Sequence, residues 1–165
     1  VVEDPESITE EAAKSMTQAI TIEEIVIIGL EATDKADACR QLAERLVEAN
    51  RLTNIDDYLA AVAAREEHFP TGIEGGIAIP HAQSNFVTIP SVAVGVSPAG
   101  VDFGAEDGKS NLIFLIAAPA ASEGAHLQIL SKLARKIMHD EFCDQLRAET
   151  DPAALAATLT REVQD

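Results

Sequence analysis

Apolar residues change their spacing twice along this chain. Ile25-Val26-Ile27-Ile28, inside Glu24–Leu30, is a compact β-branched run of the kind that forms a buried strand. The interval then lengthens. Ala38, Leu42, Leu46 and Ala49 recur at helical spacing across Lys35–Ala49, a helix that Asp34 can cap. Asn54 can cap a second helix, Ile55–Glu67, with Tyr58, Leu59 and Val62 facing inward and Arg65 near its carboxyl end; Pro70 and Gly72 close it. After that the runs are short again. Ile77–Ile79, Ser91–Val96 and Leu112–Ala117 read as core strands between loops that carry Pro90, Pro98, Gly100, Gly104 and Gly108, and Val101-Asp102-Phe103 is expected as a short edge strand. A long helix follows over Glu123–Met138, capped by Ser122 and burying Leu127, Leu130, Leu133, Ala134 and Ile137. Two shorter helices end the chain, Asp140–Ala148 and one from Pro152 at a first-turn position through Arg161. A further short helix is expected ahead of them all, over Thr9–Gln18.

Strands and helices in mixed order, joined by both hairpin-length and helix-length connections, predict an α/β domain of the α+β type. Its mixed sheet should have about five strands and be covered by helices. Strand order does not follow from the pattern. No repeat or low-complexity linker divides the chain, so one domain is expected from residue 21 to residue 165, after an acidic leader at 1–20.

The charge narrows the partners. A formal charge of −16 argues against nucleic acid and against an anionic membrane surface, which reward positive charge; a basic partner would be steered toward this chain. Part of the acidity is local: Glu3, Asp4, Glu6, Glu10, Glu11, Glu23 and Glu24 are opposed only by Lys14, which reads as a solvated leader. Cys39 and Cys143 stand far apart, each in a helix-like pattern, so neither a disulfide framework nor a zinc site is indicated. No apolar segment approaches a membrane span and the amino end lacks the order of a secretory signal, so a cytoplasmic location is expected. The chain begins with Val1, so it is compatible with a piece of a longer protein, including a soluble part of a membrane system.

Candidate chemistry centres on Thr71-Gly-Ile-Glu-Gly-Gly-Ile-Ala-Ile-Pro-His81-Ala82. Pro80 has no N–H to give a neighbouring strand, so pairing is expected to stop there, with His81 in a restrained turn and Gly72, Gly75 and Gly76 leaving room beside it. Alone, this is an exposed histidine after a strand. His126 falls in the first turn of the long helix, where unpaired N–H groups favour an anion. Arg65 sits beside Glu66 and Glu67 at a helix end, where a local ion pair or a favourable helix-dipole contact accounts for it, yet its guanidinium also suits bidentate contact with phosphate. His68 and His139 read as structural or solvated. An imidazole, a second histidine at a helix start and an arginine together suggest transfer of a phosphoryl group through histidine. No glycine-lysine nucleotide loop is present, so the donor should be another phosphoprotein rather than ATP.

These residues resemble the IIA domains of the fructose–mannitol type in the bacterial phosphoenolpyruvate-dependent sugar phosphotransferase system. Thr71-Gly72-Ile73 and Gly76-Ile77-Ala78-Ile79-Pro80-His81-Ala82 look like that family's phosphorylation-site signature, Arg65-Glu66-Glu67 stands at the expected distance upstream, and His126-Leu127 with Leu130 and Leu133 resembles its second histidine helix. The resemblance spans about Thr21 to Arg161. It implies that His81 accepts a phosphoryl group from the histidine phosphocarrier protein HPr and passes it to a cysteine of a IIB domain. It further implies that Arg65 and His126 stabilise the phosphate, and that helices cover both faces of the sheet. Phosphoenolpyruvate would be the upstream source, a membrane IIC component would be reached through IIB, and no cofactor or metal would sit on the domain. Two departures stand out. Glu74 occupies a usually small or neutral position and is expected to face solvent, away from phosphate; Gln83 replaces a commonly basic residue. Two other readings compete: a nitrogen-type regulatory IIA that signals by its phosphorylation state, and a metal-binding protein using His81 and His126, for which further ligands are not evident.

Overall fold

The computed structural model describes residues 18–121 and 123–164, without the side chains of Glu123, Ala125 and His126. Most of the expected leader, the helix expected over Thr9–Gln18 and the Ser122 cap therefore lie outside the described residues.

A 3-10 turn, Glu23–Ile25, leads into β1 (Val26–Ile28). Helix α1 (Lys35–Glu48) begins at Asp34, whose carboxylate accepts from the Asp37 N–H, and α2 (Ile55–His68) begins at Asn54, whose side chain accepts from the Asp57 N–H. Each cap satisfies an amide that the first turn leaves unpaired. Strands β2 (Gly72–Ile73), β3 (Ile77–Ala78) and β4 (His81–Ser84) are short; β5 (Ser91–Ala105) and β6 (Gly108–Pro119) form a long hairpin. Helices α3 (Glu123–Ile137), α4 (Asp140–Ala148) and α5 (Pro152–Gln164) follow.

The sheet is mixed, with β1 parallel to β5, β5 antiparallel to β6, β6 parallel to both β3 and β4, and β2 antiparallel to β3. Its order is β1-β5-β6-β3-β2, and β4 continues the β3 line along β6, so six strands occupy five positions. Side chains alternate across it as the period of a strand demands. Leu112, Phe114 and Ile116 enter one core with Ile129, Leu133, Leu146, Leu155 and Leu159 of the last three helices; Ile113, Leu115 and Ala117 enter the other with Leu42, Leu46, Tyr58 and Val62 of α1 and α2. Helices thus cover both faces.

Several local expectations change, and the short strands β2 and β4 add to those expected. Val101–Phe103 is not a separate edge strand; it continues β5 past register shifts, with Val101 and Phe103 buried in the core beneath α1 and α2. The buried stripe of α3 is Ile129, Leu133 and Ile137, with Leu130 partly buried, whereas Leu127 is 63% exposed and Ala134 is exposed. Ile79 lies between β3 and β4, and Met138 beyond α3. Pro80 does not end pairing: its carbonyl accepts from the Ile116 N–H at 2.9 Å, and β4 resumes the parallel register with His81 opposite Ile116. A proline removes one donor from a ladder and keeps its acceptor.

Candidate functional site

His81 opens β4 and is half-buried. Alternation puts Ala82 in the core under α1 and α2, so His81 and Gln83 point to the opposite face, the one shared with Ile116 and covered by α3 and α5. The His81 Nδ1 lies 2.8 Å from the carbonyl oxygen of Ile79. A carbonyl can only accept, so Nδ1 carries the proton and Nε2 is the basic nitrogen of the neutral ring.

A series of hydrogen bonds connects that ring to the end of α2. The Ile79 N–H donates to the Thr71 carbonyl at 3.2 Å, and the Thr71 N–H donates to Glu66 Oε2 at 3.2 Å while its hydroxyl donates to Glu66 Oε1. Glu66 is buried and Lys35 Nζ lies 3.9 Å from it. Of the two local roles expected for Arg65, an ion pair with Glu66 is not what the structure shows, because the carboxylate turns inward to Thr71, whereas the position in the last turn of α2 that a helix-dipole contact requires is met. Glu66 extends the inward row of Tyr58 and Val62 by another four residues, and that spacing was the signal in the sequence for a buried acid.

Arg65 occupies the last turn of α2, exposed, with its guanidinium carbon 5.7 Å from the centre of the Phe69 ring, a cation–π distance. Among the described residues it makes no side-chain hydrogen bond or ion pair, so this structure does not join it to His81. His126 lies in the first turn of α3 and its side chain is outside the described residues. Its helix leaves β6 just past Pro119, the register partner of Ser84, so α3 starts near the end of β4. His68 is exposed beside Phe69, and His139 is exposed at the start of α4, as read from the sequence.

Of the three glycines expected to leave room beside His81, two shape a turn at the far end of the strand line. Gly75 and Gly76 take positive φ angles of 92° and 75° in the β2–β3 turn. Arg147 binds the Gly75 carbonyl and Asp107 accepts from the Gly75 N–H, while Asn111 and Leu112 both donate to the Gly76 carbonyl. That turn adjoins Leu112, four residues along β6 from Ile116 beside His81, or about 13 Å of strand. Glu74, at its tip, is exposed as expected.

The two cysteines are free and occupy opposite cores, so the sheet separates them. Burial, helped by Glu66, pushes the Cys39 thiol up to about 12, and burial also raises Cys143. Neither is a ready nucleophile at neutral pH.

The chain is thus a mixed sheet between helical layers, with a tautomer-fixed histidine on the strand after a proline. Residues 19–162 match the family described as phosphoenolpyruvate-dependent sugar phosphotransferase system, EIIA 2, and the chain belongs to that family. It is 40% identical over 134 residues to the fructose-specific EIIA component of Haloferax volcanii, covering 79% of this chain and 87% of that protein. Among solved structures it is similar to the nitrogen regulatory protein IIA-Ntr of Neisseria meningitidis, with a TM-score of 0.77 and 29% identity over 86% of this chain and 97% of that one. It is also similar to a chain in the complex of mannitol enzyme IIA with phosphorylated enzyme IIB from Escherichia coli, with a TM-score of 0.67 and 26% identity over 81% and 94%. The domain is accordingly a phosphoryl-transfer component of a sugar phosphotransferase system.

Proposed function

We propose that His81 is the residue that carries the phosphoryl group, taking it from the histidine phosphocarrier protein HPr and passing it to a cysteine of a IIB domain during fructose uptake. The bond from Nδ1 to the Ile79 carbonyl is the observation that carries this reading, because it leaves Nε2 as the nucleophile. Nε2 attacks phosphorus; the new N–P bond forms as the donor's N–P bond breaks, and the donor imidazole keeps the electron pair. In the second step a IIB thiolate attacks, an S–P bond forms and the His81 N–P bond breaks. Arg65 leaves Phe69 to neutralise charge on the phosphoryl oxygens, and His126 donates a hydrogen bond to them. Phosphoenolpyruvate is the ultimate phosphoryl source, and the sugar is bound by a membrane IIC component reached through IIB. No helix among the described residues is long and apolar enough to cross a membrane.

The likeness to a nitrogen regulatory IIA supports a second reading, in which the same histidine is phosphorylated but the output is binding to a regulated partner. One experiment separates them: the domain is incubated with phosphoenolpyruvate, the general first enzyme and HPr, and then with a fructose-type IIB domain. Acid-labile phosphate on His81 that moves to IIB is expected. His81→Ala should abolish acceptance; His126→Ala and Arg65→Ala should fold and transfer more slowly. Phosphate on His81 that no IIB accepts would favour regulation, and wild-type protein that takes no phosphate would refute both.

A further inference from the structure

We infer that Gln83 is a phosphoryl-binding residue whose side-chain amide donates a hydrogen bond to the group carried on His81; this rests on the assignment of His81 as the phosphoryl acceptor. Gln83 follows His81 by two residues in β4, so both side chains leave the same face of the sheet with their Cα atoms about 7 Å apart. The parallel register holds them there, His81 opposite Ile116 and Gln83 opposite Ala118. The bond from Nδ1 to the Ile79 carbonyl fixes the ring on this face of the sheet and makes Nε2 the nitrogen that would carry the group.

The amide itself is the second observation. Gln83 Nε2 is buried and has no hydrogen-bond partner, one of two such side-chain atoms among the described residues; the other, Ser110 Oγ, lies on β6 ahead of Leu112, far from His81. A buried donor without an acceptor is unfavourable in the form that lacks one. A phosphoryl group on Nε2 brings three acceptor oxygens and charge to this face. The amide donates without adding a positive charge, so it holds the phosphoryl group without the full ion-pair strength that a lysine there would supply. Attraction that is too strong in the phosphorylated form would slow release to the next protein, because only interactions favouring the transition state over the bound state speed the step.

The test compares Gln83→Met, which keeps length and removes the donors, with Gln83→Lys, which keeps a donor. For each, the equilibrium of phosphoryl exchange with HPr, the ³¹P shift of the phosphorylated domain and the melting temperature of the unphosphorylated domain are measured. Gln83→Met should shift exchange about tenfold toward HPr and move the ³¹P signal, while the unphosphorylated domain melts no lower than wild type, since an unpaired donor has been removed. Gln83→Lys should retain or exceed wild-type phosphate affinity. Exchange within twofold of wild type in Gln83→Met, or a fall in stability of the unphosphorylated domain that accounts for the lost exchange, overturns the assignment to Gln83 and leaves that of His81 standing. Absence of phosphate on His81 in the wild-type domain overturns both.

Discussion

Replacing Glu66 by alanine tests the connection between the end of α2 and the His81 ring. The carboxylate accepts two hydrogen bonds from Thr71, one from the backbone N–H at 3.2 Å and one from the hydroxyl, and its side chain is only 5% exposed. Lys35 is 3.9 Å away and 45% exposed, so its attraction is largely screened and contributes little. Removing the acceptor leaves two buried donors without partners, each costing about 1–3 kcal/mol. The carboxylate's own desolvation is relieved at the same time, which offsets part of that cost. A net loss of about 3 kcal/mol is expected, and in a chain of 165 residues that lowers the melting temperature by about 6–12 °C. Glu66→Gln keeps one acceptor oxygen and should fall between.

The same substitution frees Thr71, whose carbonyl fixes the Ile79 amide and, through the Ile79 carbonyl, the Nδ1 proton of His81. Urea unfolding gives the stability, and ¹⁵N NMR of the histidine ring gives the tautomer. The Nδ1–H form should predominate in the wild type and lose population in Glu66→Ala. A stability change under about 0.5 kcal/mol, the range of ordinary surface substitutions, would refute the account of the buried carboxylate. An unchanged His81 tautomer in a destabilised variant would refute the connection to the ring.

Two further expectations follow from groups the phosphoryl step does not use. Cys39 ionises near 9.0 in an unstructured chain and at about 12 when folded, so its contribution is complete below pH 9 and is lost as pH rises toward 12. Stability should therefore decline above pH 9, by about 1.4 kcal/mol per pH unit from this thiol, and Cys39→Ala should flatten the decline in urea titrations; an equal slope in both proteins contradicts it. Gly76 has φ of 75°, and an added Cβ would lie 2.9 Å from Asn111 Oδ1, the oxygen that Arg147 Nε binds. Gly76→Ala should cost about 1–2 kcal/mol in unfolding experiments yet leave phosphoryl acceptance at His81 unchanged; slowed acceptance without lost stability would restore a clearance role for this turn.

The sequence by itself determined the helices and the longer apolar strands, because they depend on spacing and local chemistry, whereas the short β2 and β4 exist only through their partners in the sheet. Asp34 and Asn54 cap the helices they were expected to cap, and the apolar runs around Val94 and Phe114 are the strands buried on both faces. Pro80-His81 was legible as a strand corner, and His81 opens β4, while the grouping of Arg65 and His126 with it is a pattern of the sequence that the described residues do not bring together. What the sequence left open depended on who sits opposite whom. Pro80 looked like an end to pairing because its missing donor is visible in the sequence, whereas the Ile116 amide that uses its carbonyl belongs to another strand. Glu66 looked like a partner for the adjacent Arg65, yet helix geometry aims it at Thr71 and leaves Arg65 over Phe69. Gln83 looked like a reduction in charge; the sheet makes it a buried donor on the same face as the histidine. Local propensity acts over a few residues, but the protonated nitrogen of His81, the burial of Glu66 and the missing partner of Gln83 are all set by groups that only the folded sheet brings within hydrogen-bond reach.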